Sequence, residues 1–286
     1  MKVLVDFSNL ASMAFFSALS HLKIKPEETP EGFRNHIQTF NQKLTGFLSK
    51  FHWDELWFVL DSRPQYKYDI FPEYKAGRKR IKFDPKPAIF ELLKSWNSNM
   101  IVASGYEADD GIATFTAKAE GDILILSSDK DLWQLLKRPQ TWIFSMYNNQ
   151  YTTQDALQEA FELDSFKHIS LYKTLWGDAG DGVPNLAPRQ KKHLLPVVKE
   201  TDGTLASFYE CLARHIVPEK CREMLEANKE KILINQELVS LNTDCQLTMF
   251  QARDLEKHVV LRKTKNTPPG DGEQQAHNGL GPEAIF

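Results

Sequence analysis

Three short stretches of the chain are almost unbroken in apolar residues: Lys2–Asp6 (KVLVD), Leu56–Asp61 (LWFVLD) and Asp122–Ser127 (DILILS). Runs of this kind, without polar alternation, predict strands of a parallel sheet covered on both faces. Met100–Ala103 predicts a fourth, shorter strand. Between them lie stretches with helical spacing of apolar residues, at Glu31–Phe51, Pro87–Trp96 and Ala108–Ala119. Strands separated by crossover helices define an α/β fold with a mostly parallel central sheet and flanking helices. From about Asp155 the strand pattern fades, and helices are expected over Asp164–Trp176, Arg189–Lys199, Leu205–Ala213 and Pro218–Leu241. The pattern divides the chain into an α/β core over residues 1–160, a helical lobe over 161–262 and a tail over 263–286. That tail is rich in Gly, Pro, Gln and Asn and is expected to be disordered until its apolar end, Ala284-Ile285-Phe286.

Composition narrows the setting. The chain has 286 residues and a formal charge of −3, so its average charge does not point to a polyanionic partner and local charge must be read instead. Three cysteines, Cys211, Cys221 and Cys245, form no CxxC pair, and an odd count suits reduced thiols in a cytosol. There is no span of about twenty apolar residues, and Asp6 interrupts the N-terminal apolar run. The expectation is a soluble cytoplasmic protein without a membrane segment.

The candidate chemistry lies in nine acids that fall where strands end or helices begin: Asp6, Asp61, Glu107, Asp109, Asp110, Asp129, Asp131, Asp178 and Asp181. In a parallel sheet ligands bind outside the carboxyl ends of the strands, so acids at those ends are expected to converge. Crowded carboxylates repel unless cations hold them together. An all-oxygen donor set suits Mg²⁺ or Mn²⁺. Taken singly, several clusters also have structural readings. SSDKD at 127–131 is either an extended pair with both carboxylates on one side or a turn with an N-cap. YEADD at 106–110 places acids at a helix start, where the dipole favours them, and puts Glu107 and Asp110 on one face. GDAGDG at 177–182 is either a ligand-approaching turn or a solvated loop. Asp6 and Asp61, at the ends of buried strands, need partners in any case.

A second signal is the segment from Arg63 to Lys86, where eight cations face only Asp69, Glu73 and Asp84. Tyr66, Tyr68, Phe71, Tyr74 and Phe83 are interleaved with them. Cations that neutralise phosphates and rings that stack on bases suit a path for single-stranded nucleic acid, although a solvated charged loop has the same composition.

In their order and spacing these residues are familiar. VDFSN at 5–9, LDS at 60–62, FPEYKAGRK at 71–79, YEADD, ILSSDKD at 125–131 and GDAGDGVPN at 177–185 resemble the motifs of the 5′-nuclease superfamily. That superfamily includes flap endonucleases, the 5′-nuclease domain of bacterial DNA polymerase I and phage 5′–3′ exonucleases. The likeness is greatest to the ribonuclease H type of T-even phages and covers roughly residues 2–198. The resemblance implies a fold of the PIN and flap-endonuclease type, with a helical arch over residues 63–86 and a helical lobe that contributes Asp178 and Asp181. It implies that all nine acids ligate two divalent ions, with Mg²⁺ natural and Mn²⁺ a substitute. Lys75 and Arg78 would contact the scissile phosphate, and Lys67, Tyr74, Lys79, Arg80 and Lys82 would meet the DNA along the arch.

The lobe departs from the family pattern. LAPRQKKHLL follows GDAGDGVPN without the second glycine-rich turn of the helix–three-turn–helix element, which speaks against a potassium site. Arg189, Lys191 and Lys192 remain as backbone-gripping cations. The implied activity is that of a structure-selective 5′–3′ exonuclease and flap endonuclease acting on branched or 5′-ended duplex DNA and RNA–DNA hybrid. Its implied setting is primer removal and lagging-strand processing in phage replication. The chain is expected to be a monomer, its tail docking on a sliding clamp or single-strand-binding protein. Two other enzyme classes are less well matched. A PIN-type ribonuclease would lack the arch and the GDxxD lobe, and an aspartyl-phosphate phosphatase starting at Asp6 would want an acid where this chain has Ser8.

Overall fold

A computed structural model describes residues 1–22, 32–78 and 86–258. Lys79, Arg80 and Lys82 of the basic segment, and the tail over 263–286, lie outside the described residues. The centre is a seven-stranded sheet: β1 (Lys2–Asp6), β2 (Glu55–Leu60), β3 (Asn99–Ala103), β4 (Ile123–Leu126), β5 (Thr141–Ser145), β6 (Gln150–Tyr151) and β7 (Leu247–Gln251), in the spatial order β6-β5-β4-β1-β2-β3-β7. The five inner strands are parallel, while β6 and β7 close the two edges antiparallel. The α/β class and the mostly parallel sheet expected from the apolar runs are both present.

Side chains of successive strand residues point to opposite faces, and the core divides accordingly. Val3, Val5, Phe58, Leu60, Met100, Val102, Leu124 and Leu126 face one way, onto α1 (Phe7–Leu22), α2 (Gly32–Leu48) and α4 (Lys86–Ser95), a layer that follows the short α3 (Gln65–Ile70) in part. Leu4, Val59, Ile101, Ile123 and Ile125 face the other, onto α5 (Ala108–Lys118) and the helices after residue 160. Both faces are dry, which is why these strands carry no polar alternation.

Three strands depart from the sequence expectation. β5 is buried except at Trp142 and β6 is a two-residue, exposed edge strand, and β7 lies within the region expected to be helical. LTMFQ holds only one fully buried side chain, Phe250, so its apolar content alone is too small to mark a strand. The long helix expected over Pro218–Leu241 is two, Glu219–Ala227 and Lys229–Val239, parted at Asn228.

The chain visits β1, β2 and β3 on one side, then crosses to β4 and β5 on the other. The order therefore reverses between β1 and β4, and a crevice opens at their carboxyl ends. Asp6 ends one of these strands, and Ser127 to Asp129 follow the other. Among the described residues, no helix is long and apolar enough to cross a membrane.

Gly177, after α7 (Ile169–Trp176), has φ +72°, and a Cβ there would lie 2.5 Å from the Val183 carbonyl oxygen and 2.6 Å from that of Pro184. Gly121 has φ +78° but nothing within 4 Å. Gly121→Ala is expected to cost about 1–2 kcal/mol for the left-handed backbone alone, and Gly177→Ala at least about twice that. Urea unfolding of the two variants checks the ranking, and equal losses would contradict the close packing at Gly177.

Candidate metal centre

The acids from five separate segments meet at the crevice. Asp6, 4% exposed, accepts a hydrogen bond from the Asn9 backbone N–H (3.1 Å) and one from Ser127 Oγ (2.8 Å), which tie the ends of β1 and β4 together. Asp61 follows β2 and accepts from the Ala108 N–H at the start of α5 (3.0 Å). Glu107 is the N-cap of α5 and shares a reciprocal capping box with Asp110, as their three-residue spacing predicts. Asp109 points elsewhere. Asp109, Asp129 and Asp131 each offer an oxygen, and these oxygens lie within 4.8 Å of one another.

The turn at 127–131 follows the turn reading of its sequence, yet still brings both carboxylates to one side. Lys130 is helical (φ −75°, ψ −15°), and the Asp131 N–H donates to Asp129 Oδ1 at 2.9 Å. The two carboxylates thus converge through a capped turn, not through extended backbone. Asp110 stands apart from the remaining acids. It is fully buried and accepts from the Asn242 N–H (2.9 Å), the Glu107 N–H (3.3 Å) and Tyr66 OH (3.4 Å), so it fastens α5 to the chain entering β7.

Four cations lie among these carboxylates. Lys67 Nζ donates to Glu107 Oε2 at 2.8 Å, and Lys75 Nζ donates to Glu107 Oε1 and sits 3.6 Å from Asp181 Oδ2. Arg78 donates to Asp181 Oδ1. Lys173, on α7, donates to Asp131 Oδ1 and, at 2.6 Å, to Asp178 Oδ2. Tyr74 OH is within 2.9 Å of Glu107 Oε2 and 2.8 Å of Asp181 Oδ2.

Electrostatics divides the acids into two groups. Burial, then the charges of Asp61 and Asp129, push the Asp6 carboxyl up to about 7. Burial, then Asp129 and Asp6, raise Asp109 well above its ordinary range. Asp129 is raised by burial, with Lys173 opposing. Burial also works to raise Glu107, but Lys67 and Lys75 outweigh it and hold that carboxyl at about 2. Asp178 is likewise lowered despite burial, through Lys173. Glu107 and Asp178, paired with ammonium groups, are secure anions, while Asp6, Asp109 and Asp129 are short of positive charge. Their all-oxygen donor set fits a hard divalent cation.

Several expected DNA contacts are placed otherwise. Lys67 is 4% exposed against Glu107, and Tyr74 is 1% exposed, its ring packed with Val183, Leu238 and Val239. Neither side chain is open to a strand in this structure, because both have become partners of buried acids. Lys191 donates to Glu162 Oε1 (2.7 Å) and to Tyr172 OH (2.9 Å), whereas Arg189 and Lys192 are exposed. Lys75 and Arg78 reach the acidic centre. The Lys75 backbone is left-handed (φ 58°), with its N–H donating to the Asp181 carbonyl at 2.9 Å.

Lys173 and Asn235 are central to the site but do not announce themselves in the sequence. Asn235, fully buried on the helix Lys229–Val239, donates to the carbonyls of Thr174 (3.0 Å) and Pro184 (2.9 Å) and so braces both ends of the 177–183 turn. The signal for Lys173 is a lone cation inside an apolar helix, LYKTLW, five residues before Asp178.

A family description, the 5′-3′ exonuclease N-terminal resolvase-like domain, matches residues 1–162. This chain belongs to that 5′-nuclease family. It is 31% identical over 210 residues to the flap endonuclease Xni of Shewanella oneidensis, which covers 70% of this chain and 77% of that protein. It is 28% identical over 280 residues to DNA polymerase I of Bacillus caldotenax, covering 91% of this chain but 31% of the polymerase, so the chain spans less than a third of that relative's length. In fold it is similar to the bacteriophage T5 5′-exonuclease with bound zinc (TM-score 0.64, 20% identity, 85% and 90% of the two chains). A complex of the T5 flap endonuclease with DNA and metal ions has a TM-score of 0.62 (19% identity, 84% and 89% of the two chains).

The raised Asp6 carboxyl gives a signed test in protein freed of divalent ions. The folded state holds the Asp6 proton up to about pH 7, while the unfolded carboxyl releases it near its ordinary 3.8. Folding therefore binds a proton across that window, and stability falls as pH rises through it, with the loss complete above about 7. Asp6→Asn removes this dependence. Its stability relative to wild type is expected to rise by more than about 1 kcal/mol between pH 4.5 and 7.5. A pH-independent difference in chemical denaturation would refute the assignment.

Proposed function

We propose that this chain is a divalent-metal-dependent 5′ nuclease that hydrolyses phosphodiesters in 5′-ended or branched duplex DNA and RNA–DNA hybrid. The observation that carries this reading is the convergence of Asp109, Asp129 and Asp131, with Asp6, Asp109 and Asp129 left underneutralised, beside the paired acids that hold Lys75 and Arg78. Asp6, Asp61, Asp109, Asp129 and Asp131, with Asp178 and Asp181 from the lobe, would hold the ions. Mg²⁺ is the natural ion and Mn²⁺ a substitute, with two ions expected. Bound there, such ions supply a water nucleophile at neutral pH and charge stabilisation at the scissile phosphate.

The protein's own groups do the rest. Lys75 and Arg78 are fixed at the edge of the acidic centre by Asp181 and Glu107, where their positive charge meets a phosphate brought to the carboxylates. Lys67 and Tyr74 hold Glu107 and so join the basic segment to the start of α5. Arg189, exposed just before α8 (Lys191–Lys199), and Lys192, exposed in its first turn, would grip duplex backbone without reading sequence. The setting proposed for such an activity is primer removal and lagging-strand processing during phage replication. The apolar end at 284–286 is the natural contact for a sliding clamp or single-strand-binding protein.

Sizing the products from a 5′-labelled flap and a nicked duplex, with and without Mg²⁺, tests the assignment. Product is expected only with the ion. Asp129→Asn and Asp131→Asn are each expected to lower turnover at least about a hundredfold while DNA affinity stays near wild type. Full activity in either variant would overturn the reading. Lys75→Ala is expected to lower kcat by about a hundredfold with little change in binding of the uncleaved flap, and an effect confined to KM would remove Lys75 from the chemistry.

A further inference from the structure

The register of β1 on β4 decides which side chains meet where that ladder stops. Val5 pairs with Leu126, so the residues that come next, Asp6 and Ser127, follow side by side and on one face. Backbone pairing between the two strands ends there, and side-chain bonds take over. Ser127, 2% exposed, donates from Oγ to Asp6 Oδ2 at 2.8 Å and accepts the Asp129 N–H at 3.1 Å. Its hydroxyl therefore links one acid of the centre to the backbone of another. A second bridge runs through Asn9, in the first turn of α1. The Asn9 N–H donates to Asp6 Oδ1 at 3.1 Å, the bond of an aspartate that caps a helix, while Asn9 Oδ1 accepts the Ser128 N–H at 3.0 Å. Asp6 thus carries a protein hydrogen bond on each oxygen, and the turn that bears Asp129 is held at two successive amides.

Such a clasp restricts what the acids can do. A carboxylate offers about four lone-pair directions over its two oxygens. The bonds from Ser127 and Asn9 use one on each oxygen of Asp6, which stops the group from turning and leaves the other directions for an ion. The same two residues fix the Asp129 turn relative to Asp6. Ions differ in how much they gain from this. Mg²⁺ demands near-ideal octahedral geometry at about 2.0–2.1 Å, whereas Ca²⁺ accepts about six to eight oxygens at roughly 2.3–2.6 Å in flexible arrangements. A rigid relation between two ligand-bearing segments therefore favours the smaller ion. We propose that Ser127 and Asn9 are positioning residues that lock Asp6 to the Asp129 turn and so set the centre's selectivity for Mg²⁺ relative to Ca²⁺. The proposal rests on reading that centre as the divalent-metal site of a nuclease. Both residues act through the acids they hold, as groups behind metal ligands do.

The test uses the full chain without nucleic acid. Thermal unfolding is followed across separate titrations of Mg²⁺ and Ca²⁺, and the concentration dependence of Tm gives a Kd for each ion. Ser127→Ala and Asn9→Ala are each expected to weaken Mg²⁺ binding about tenfold, while Ca²⁺ binding changes by less than about twofold. Ser127→Thr, which keeps the hydroxyl, is expected to restore the wild-type ratio of the two affinities. Asn9 is only half-buried, so Asn9→Ala keeps the test open should Ser127→Ala fail to fold. Affinities for the two ions that weaken equally, or that match wild type in both alanine variants, would overturn the assignment. Wild type whose Tm responds to neither ion would overturn the metal centre and this inference with it. Wild type that binds Mg²⁺ yet cuts no flap would overturn the nuclease reading alone.

Discussion

Repulsion between buried carboxylates governs this molecule. Eight of the nine acids gather at one sheet edge around the crevice, with Asp110 set just behind, and burial alone works against the ionised form of most of them. The chain meets that cost only in part. Lys67, Lys75, Lys173 and Arg78 neutralise Glu107, Asp131, Asp178 and Asp181, and they come from two distant segments, the basic stretch and α7. Asp6, Asp109 and Asp129 are left with a deficit of positive charge. An environment that pairs some acids fully and leaves others wanting is suited to exchanging cations, because complete internal neutralisation would leave a metal nothing to bind.

The same ion pairs join parts of the fold that apolar packing alone would leave loosely connected. Tyr74 is the clearest case. Its hydroxyl touches acids from α5 and from the 177–183 turn, and its ring packs on Leu238 and Val239. Lys173 does the equivalent from the opposite side, joining the 127–131 turn to Asp178. The lobe is therefore part of the centre's construction: Asp181 is held by residues more than a hundred positions earlier, and Asp178 by Lys173, which also binds Asp131.

Much of this was legible in the sequence. The inner strands were visible because burial on both faces leaves an unbroken apolar run, and the acids because ionisable groups at the ends of such runs are conspicuous. What the sequence could not carry was pairing. Lys67 and Tyr74 look like members of an exposed basic, aromatic segment, since nothing local reveals that their partners are Glu107 and Asp181. Lys173 is hidden for the converse reason: in an apolar helix a single lysine has no local signature of its two acids. β7 was missed because an edge strand with one well-buried residue owes its place to hydrogen bonds with β3 and not to its own composition.

The pairing of β3 with β7 has a consequence for how the chain is built. Asn99 faces Gln251 and Ala103 faces Leu247, so one border of the sheet is filled by residues translated about 150 positions later. During synthesis from the N-terminus, β3 must wait with its outer hydrogen-bonding groups unsatisfied until the last described strand emerges. Asp110, which binds the Asn242 amide just ahead of that strand, waits with it. The helix start that carries Glu107 and Asp109 is thus locked by a segment translated 132 positions after Asp110, and the acidic centre gains its last brace only when that segment has emerged.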